Sequence, residues 1–280
     1  MIGLVVDSNS QLPVDLADRY GIVVVPLAIR VDGIEYREGI DLDADAFYDS
    51  WADGHTPEIS TSTPSPGVIA AAYAELAAAG ADELLSIHVT ESMSGTINAA
   101  RLAAESVDVP VRVLDSGTAS FGIACCAWAA ADAIEAGADL DRAAAVAVAR
   151  ADSLRTSFVV GVPRLTERSG RADGLDLVDA ADDGVPVLAM SGGDLVVLTT
   201  ANDLDAAVDA MVADALSWPP SGDDGLRVAI GTSDESSRPV SIALTQRLDG
   251  HAQVAEVVQY RIGPSIGAHT GPGTAGLFCF

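Results

Sequence analysis

Through the first half of the chain, short apolar runs closed by polar residues alternate with Ala-rich stretches whose apolar positions recur at helical spacing. The plainest unit runs from Glu83 to Ser106. Leu84 to Val89 predicts a buried strand and Ile97 to Ala104 a helix, joined by Thr90-Glu91-Ser92-Met93-Ser94-Gly95-Thr96. Ile2 to Val6 and Val111 to Leu114 predict two more buried strands, closed by Asp7-Ser8-Asn9-Ser10 and Asp115-Ser116-Gly117-Thr118. Val23 to Arg30 predicts one strand, turning at Asp32-Gly33 into Glu35-Tyr36-Arg37. Helices are predicted over Pro13 to Tyr20, Leu42 to Trp51, after Gly67 to Ala79, after Thr118 to Ala136, and over Asp139 to Ala151. This alternation predicts a parallel, doubly wound sheet, in which ligands bind outside the carboxyl ends of the strands. Polar loops beginning near Asp7, Thr61, Ser92 and Asp115 are expected at that edge.

The second half has a different rhythm. Phe158 to Val160 predicts a strand and Val162 to Glu167 a short helix. Val185 to Met190 and Leu195 to Thr199 predict a hairpin around Ser191-Gly192-Gly193-Asp194. Helices over Leu204 to Leu216 and Pro239 to Leu248 alternate with strands over Leu226 to Ile230 and Gln253 to Gln259. The fold class expected is therefore α/β in two domains, 1–155 with a parallel doubly wound sheet and 156–280 with a mixed sheet and helices. Gly263 to Gly276 predicts a terminal Gly-rich loop carrying His269. Gly271 to Gly276 satisfies GxGxxG, but too few residues follow for a helix, which removes a dinucleotide site.

Charge changes the picture. The 280 residues hold 41 acidic and 15 basic side chains, a formal net charge of −26, and all 15 basic residues are Arg. With 49% hydrophobic residues this is not a disordered composition but one suited to a salt-loving cell, and it excludes nucleic acid as a partner. No apolar run reaches membrane-spanning length and no basic leader precedes Ile2, so a soluble, cytoplasmic protein is expected. Cys125, Cys126 and Cys279 have the spacing of neither a zinc site nor a disulfide framework. The Asp-rich runs Asp41 to Asp49 and Asp179 to Asp183 lack calcium-loop spacing. Neither metal nor cofactor is expected.

Hydroxyls crowd two predicted helix starts, Thr61-Ser62-Thr63-Pro64-Ser65 and Ser92-Met93-Ser94-Gly95-Thr96. A helix start offers unpaired N–H groups and a positive dipole end, so such segments suit an anion, although a lone Ser94 there reads simply as an N-cap. A Ser-dependent acyl hydrolase is the alternative, with Ser94 as nucleophile, His269 as base and Asp7 or Asp115 as orienter. Against it, Ser92-Met93-Ser94-Gly95 lacks the glycine two residues before the nucleophile of a strand-to-helix elbow. His55 and His88 read as structural.

Taken in order, Val6-Asp7-Ser8, Pro26-Leu27, Thr61-Ser62-Thr63-Pro64-Ser65, Ser94-Gly95-Thr96, Asp115-Ser116, Ser169-Gly170-Arg171 and Ile266-Gly267-Ala268-His269-Thr270-Gly271-Pro272-Gly273 resemble the DegV family of fatty-acid-binding proteins. The resemblance implies two α/β domains with one long-chain fatty acid or other acyl lipid held between them. It implies that Thr61 and Ser94 hold the carboxylate, with Ser62 as the alternative to Thr61 and His269 nearby. Arg171 would stand at the mouth, where the family presents the carboxylate to a fatty-acid kinase. Family members carry a Lys before the Pro of the Val185-Pro186 pair and an Arg after the hairpin; Val185 and Thr199-Thr200-Ala201 stand here instead. That loss of positive charge favours a carrier or store over delivery to a kinase.

Overall fold

The computed structural model describes residues 1–172, 174–191, 193–217 and 225–280. It divides into two compact units, Met1–Asp41 with Ile59–Asp152, and Leu42–Glu58 with Ser153–Phe280.

In the first unit, β1 (Ile2–Asp7), β2 (Val23–Val25), β3 (Ala28–Val31), β4 (Ile34–Arg37), β5 (Ile59–Ser62), β6 (Glu83–His88) and β7 (Val111–Asp115) form two sheets. The larger has the order β2-β1-β6-β7 and is parallel throughout, with Val5 opposite Ser86 and Ser86 opposite Val113. Its strands are apolar on both faces because helices cover both. Val5, Val25 and Leu84 pack under Ile69, Tyr73 and Ala100 of helices Pro66–Ala78 and Thr96–Ala104. Helices Phe121–Glu135 and Leu140–Asp152 lie against β1 and β6, their alanines allowing close approach.

The smaller sheet, β4-β3-β5, is antiparallel. Asp32 and Gly33 take positive φ at the β3–β4 turn, 48° and 83°, the two left-handed residues of a tight hairpin turn. The single strand predicted over Val23 to Arg30 is in fact two strands in different sheets. Pro26 lies at the break, and lacking an N–H it cannot continue the ladder. Thr61 and Ser62, expected at a helix start, belong to β5; the cap of the following helix is Ser65, whose Oγ accepts from Val68 N.

In the second unit, β8 (Arg155–Val159), β9 (Val185–Ser191), β10 (Asp194–Ala201), β11 (Leu226–Thr232), β12 (Val254–Arg261) and β13 (Ala275–Cys279) form a sheet of order β10-β9-β8-β13-β11-β12. Only β11 and β12 pair in parallel, so the sheet is mixed as predicted. Gly192, in the predicted hairpin turn, lies outside the described residues. The core joins Val159, Val187, Val228, Ile230 and Leu277 to Met211 and Leu244 of helices Leu204–Ser217 and Arg238–Leu248.

The predicted terminal loop is ordered structure: a helix, Pro264–Thr270, a turn, and the central strand β13. Glycine here serves packing rather than looseness. A Cβ on Gly276 of β13 would come within 3.1 Å of the Tyr260 hydroxyl, and one on Gly231 of β11 within 2.4 Å of the same ring. Residues 42–58 belong to this unit because helix Ala44–Asp49 packs on Pro264–Thr270. Phe47, Tyr48 and Trp51 form an edge-on aromatic cluster there, with Phe47 5.1 Å from each of the other two rings.

Candidate functional site

The carboxyl ends of β1, β6 and β7 are knitted together by buried polar groups. Asp7, wholly buried, accepts from Asn9 N at 3.0 Å through Oδ1, and through Oδ2 from Val89 N at 3.1 Å, with His88 Nδ1 at 2.9 Å. Thr90 N donates to Thr118 O at 2.9 Å, and Ser116 N to His88 O at 3.1 Å. Asn9 Oδ1 accepts from Ser120 N at 3.0 Å. The loop after β6 then folds back on Thr90, whose carbonyl accepts from Met93 N and Ser94 N.

Ser94 is half-buried at the entrance to Thr96–Ala104, a helix whose own N-cap, Gly95, has no side chain to offer. The Ser94 hydroxyl fills that role from one residue earlier, 2.8 Å from Thr96 Oγ1 and accepting from Thr96 N at 3.3 Å. Thr61 pairs with Ile29 across β3, so its side chain shares the buried face with Ile29 and Ile59 while Ser60 and Ser62 point the other way. Thr61 is half-buried and Ser62 exposed. Two residues on, Thr63 lies beside the Ser94 loop, since a Cβ placed on Gly95 would meet Thr63 Cγ2 at 3.7 Å. The two hydroxyl-bearing segments of the first unit are therefore neighbours.

In the second unit His269 occupies the last turn of Pro264–Thr270, so the expected free loop histidine is a helical one. Thr166 Oγ1 donates to its carbonyl at 2.8 Å, and Val162 N donates to Thr270 O at 3.0 Å, fixing the helix to Pro163–Arg168. Arg171 follows the Ser169-Gly170 turn, where Gly170 has φ of 68°. The Arg171 guanidinium is half-buried and donates from Nη1 to Ser169 O at 3.2 Å and to His269 Nδ1 at 3.3 Å. A guanidinium can only donate, so His269 Nδ1 carries the lone pair and Nε2 the proton. Burial, and then the neighbouring Arg171 charge, lowers the His269 pKa to about 4. Burial alone lowers that of Arg171, which stays a cation. The pair thus presents a positive charge and an N–H donor, both suited to an anionic oxygen.

The residues of the hydrolase reading have other partners in this geometry. Ser94 Oγ is engaged by a hydroxyl and an amide, neither of which can take its proton. Asp115 accepts from Glu91 N and Gly117 N, and Asp7 orients His88. His88 is the residue whose partners were not foreseen: its Nε2 lies 2.7 Å from Ser86 Oγ, which accepts from Tyr73 OH at 2.8 Å. All four side chains are wholly buried. The signal lay in the Leu84 to Val89 run, where Ser86 and His88 interrupt the apolar pattern two residues apart, on one face of the strand. Among the described residues no cluster of His, Cys, Asp and Glu could hold a metal ion.

A two-unit α/β protein with hydroxyl and cationic side chains on helix-flanking segments is the class these features define. The model of the family described as "Uncharacterised protein, DegV family" matches residues 1–280, and the chain belongs to the DegV family. It is 31% identical to a DegV domain-containing protein of Streptomyces coelicolor, over 99% of this chain and 97% of that protein. To one of Mycobacterium tuberculosis it is 32% identical, over 98% and 95%. Among solved structures it resembles a Thermus thermophilus DegV family protein described for its fatty acid binding, with a TM-score of 0.91, 30% identity and coverage of 100% and 99%. It also resembles Bacillus subtilis DegV, described as a fatty acid binding protein, with a TM-score of 0.85, 25% identity and coverage of 100% and 99%.

Proposed function

We propose that this protein binds one long-chain fatty acid or similar acyl lipid and serves as its carrier or store. Thr61 and Ser94 of the first unit donate hydrogen bonds to the carboxylate, and within the second unit His269 Nε2–H and the Arg171 cation are further candidate ligand-binding groups. Ser62 is set aside because it lies on the opposite, exposed face of β5. The observation that carries the reading is the Arg171–His269 pair, a half-buried cation beside an imidazole held neutral, both able to donate. The fatty-acid binding described for the Thermus and Bacillus relatives supports the same ligand class. A tail of twelve or more carbons, at about 0.8 kcal/mol per buried methylene, can outweigh the cost of immobilising it.

The hydrogen-bond partners of Ser94 and Asp7 support carriage over catalysis. The uncharged Val185 and Thr199-Thr200-Ala201 support a store over a kinase substrate-presenter. Work in the cytoplasm fits three buried cysteines that form no disulfide, and no helix among the described residues is long and apolar enough to cross a membrane. The test is organic extraction of the purified protein followed by mass spectrometry, with titration of dodecanoate against its methyl ester. A bound acyl acid and a clear preference for the free acid are expected. A nucleotide in the extract, or equal affinity for acid and ester, overturns the reading.

A further inference from the structure

We infer that the buried chain Asp7–His88–Ser86–Tyr73 positions the hydroxyl-bearing loop of the first unit, with Asp7 acting as a positioning residue through Ser94. The inference rests on the carboxylate-binding reading above. It begins from an anomaly of the core: four polar side chains, each 0% exposed, beside a cluster in which Ile69 and Leu76 of the Tyr73 helix pack with Val5, Val25 and Leu84. Burying a carboxylate is costly, and an apolar set of equal volume would hold the sheet at least as well. What an apolar set could not do is fix the roots of loops.

Each group on the Asp7 carboxylate belongs to such a root. Asn9 N holds the turn after β1, and Asn9 in turn takes Ser120 N, at the head of helix Phe121–Glu135. Ser120 has φ of 56° and ψ of −145°, a backbone conformation that a non-glycine residue keeps only when its surroundings enforce it. Val89 N, on the other carboxylate oxygen, immediately precedes Thr90, and Thr90 O anchors the turn that carries Ser94. His88 Nδ1 sits on that same oxygen, and the chain continues through Ser86 to the Tyr73 hydroxyl on Pro66–Ala78. That helix follows directly on Thr61 to Ser65, the second hydroxyl-bearing segment. One hydrogen-bonded line therefore joins Val89, which adjoins the Ser94 loop, to Tyr73 on the helix that follows Thr61 to Ser65, and at its end a single carboxylate holds the strand end from which the Ser94 turn departs.

The experiment is calorimetric titration of dodecanoate and its methyl ester into the delipidated full-length protein as wild type, Asp7→Asn, Ser94→Ala and the double variant. Asp7→Asn is expected to weaken dodecanoate binding about tenfold in the wild-type background, under about twofold in the Ser94→Ala background, and to leave the ester unchanged. Equal losses in both backgrounds, or an equal loss for the ester, overturn the inference, because a merely destabilised fold has no reason to act through Ser94. Should Asp7→Asn not fold, His88→Gln takes its place. A several-fold loss for the acid alone is then expected, and unchanged affinity at a wild-type melting temperature overturns the inference. Wild-type protein that binds no dodecanoate overturns the carrier reading and this inference with it, whereas wild-type binding with additive losses overturns this inference alone.

Discussion

His269 enters any ligand contact as a neutral donor, since its pKa of about 4 leaves the imidazole uncharged at neutral pH. Its contribution to affinity is therefore expected to stay level between pH 6 and 8. Its contribution to stability is not level. The unfolded chain takes up this proton near the ordinary value of 6.5 and the folded chain only near 4, so stability is fully present above the first value and drains away toward the second. At full protonation the loss approaches about 3 kcal/mol. Urea unfolding of delipidated wild type and His269→Gln at pH 7 and pH 4.5 measures it, and a gap between the two proteins that fails to narrow on acidification contradicts it. Thr61→Ala and Ser94→Ala are each expected to weaken fatty-acid binding by about 1.5–3 kcal/mol, the worth of a hydrogen bond to a buried charge, with little change in unfolding midpoint. Equal binding by the alanine variants, measured by calorimetry, excludes these hydroxyls from the site. At this scale the hydroxyls and His269 stand out in the sequence as candidates because short motifs carry residue identity. The pairing of His88 with Asp7 was not, because it joins residues 81 positions apart through strand register.

Elements were legible where their period was clear and illegible where small or hydroxyl residues blurred it. The Ala-rich helices and the runs Ile2 to Val6 and Leu84 to Val89 stood out, whereas β5 resembled a loop because Ser and Thr dominate it. Pro264–Thr270 and β13 hid behind glycines that read as flexibility but act as clearance. Gly267 is the sharpest case, for an added Cβ would stand 2.5 Å from the Tyr48 hydroxyl and 2.6 Å from the Phe47 ring. Both rings are buried, and overpacking of this kind costs about 1–3 kcal/mol. Gly267→Ala is expected to destabilise by that much and, by shifting its helix, to weaken fatty-acid binding through His269. Gly67→Ala is the control, because its Cβ would meet nothing closer than Ser65 Oγ at 3.9 Å in a helix that gains from losing a glycine. Urea midpoints that move together in the two variants would show that clearance at Gly267 is not what the fold requires.

At the scale of the whole molecule the governing quantity is the net charge of −26. The ion pairs cannot offset it. Arg30–Glu35, Arg37–Asp41, Arg101–Glu91 and Arg261–Asp45 are exposed, and solvent screening leaves such pairs little to contribute. Every acidic residue in excess repels its neighbours more strongly in the compact state than in the expanded chain, so screening should favour folding. The Debye length falls from about 10 Å at 0.1 M to about 3 Å at 1 M salt, which weakens pairs and repulsion alike. With 41 acidic residues against 15 basic, the repulsive terms outnumber the attractive ones and the balance goes to stabilisation. The melting temperature is therefore expected to climb steeply between 0.05 and 0.5 M KCl and to level off near 1 M; about 1 kcal/mol of relieved repulsion corresponds to a rise of about 2–4 °C. Salt excluded from the surface would instead raise stability steadily to several molar, as would sucrose, which screens nothing. Calorimetric scans of delipidated protein across that KCl range, with sucrose in parallel, separate the two. A melting temperature that falls with added KCl would mean that the exposed pairs dominate after all, whereas a straight climb matched by sucrose would assign the stabilisation to surface exclusion rather than to charge.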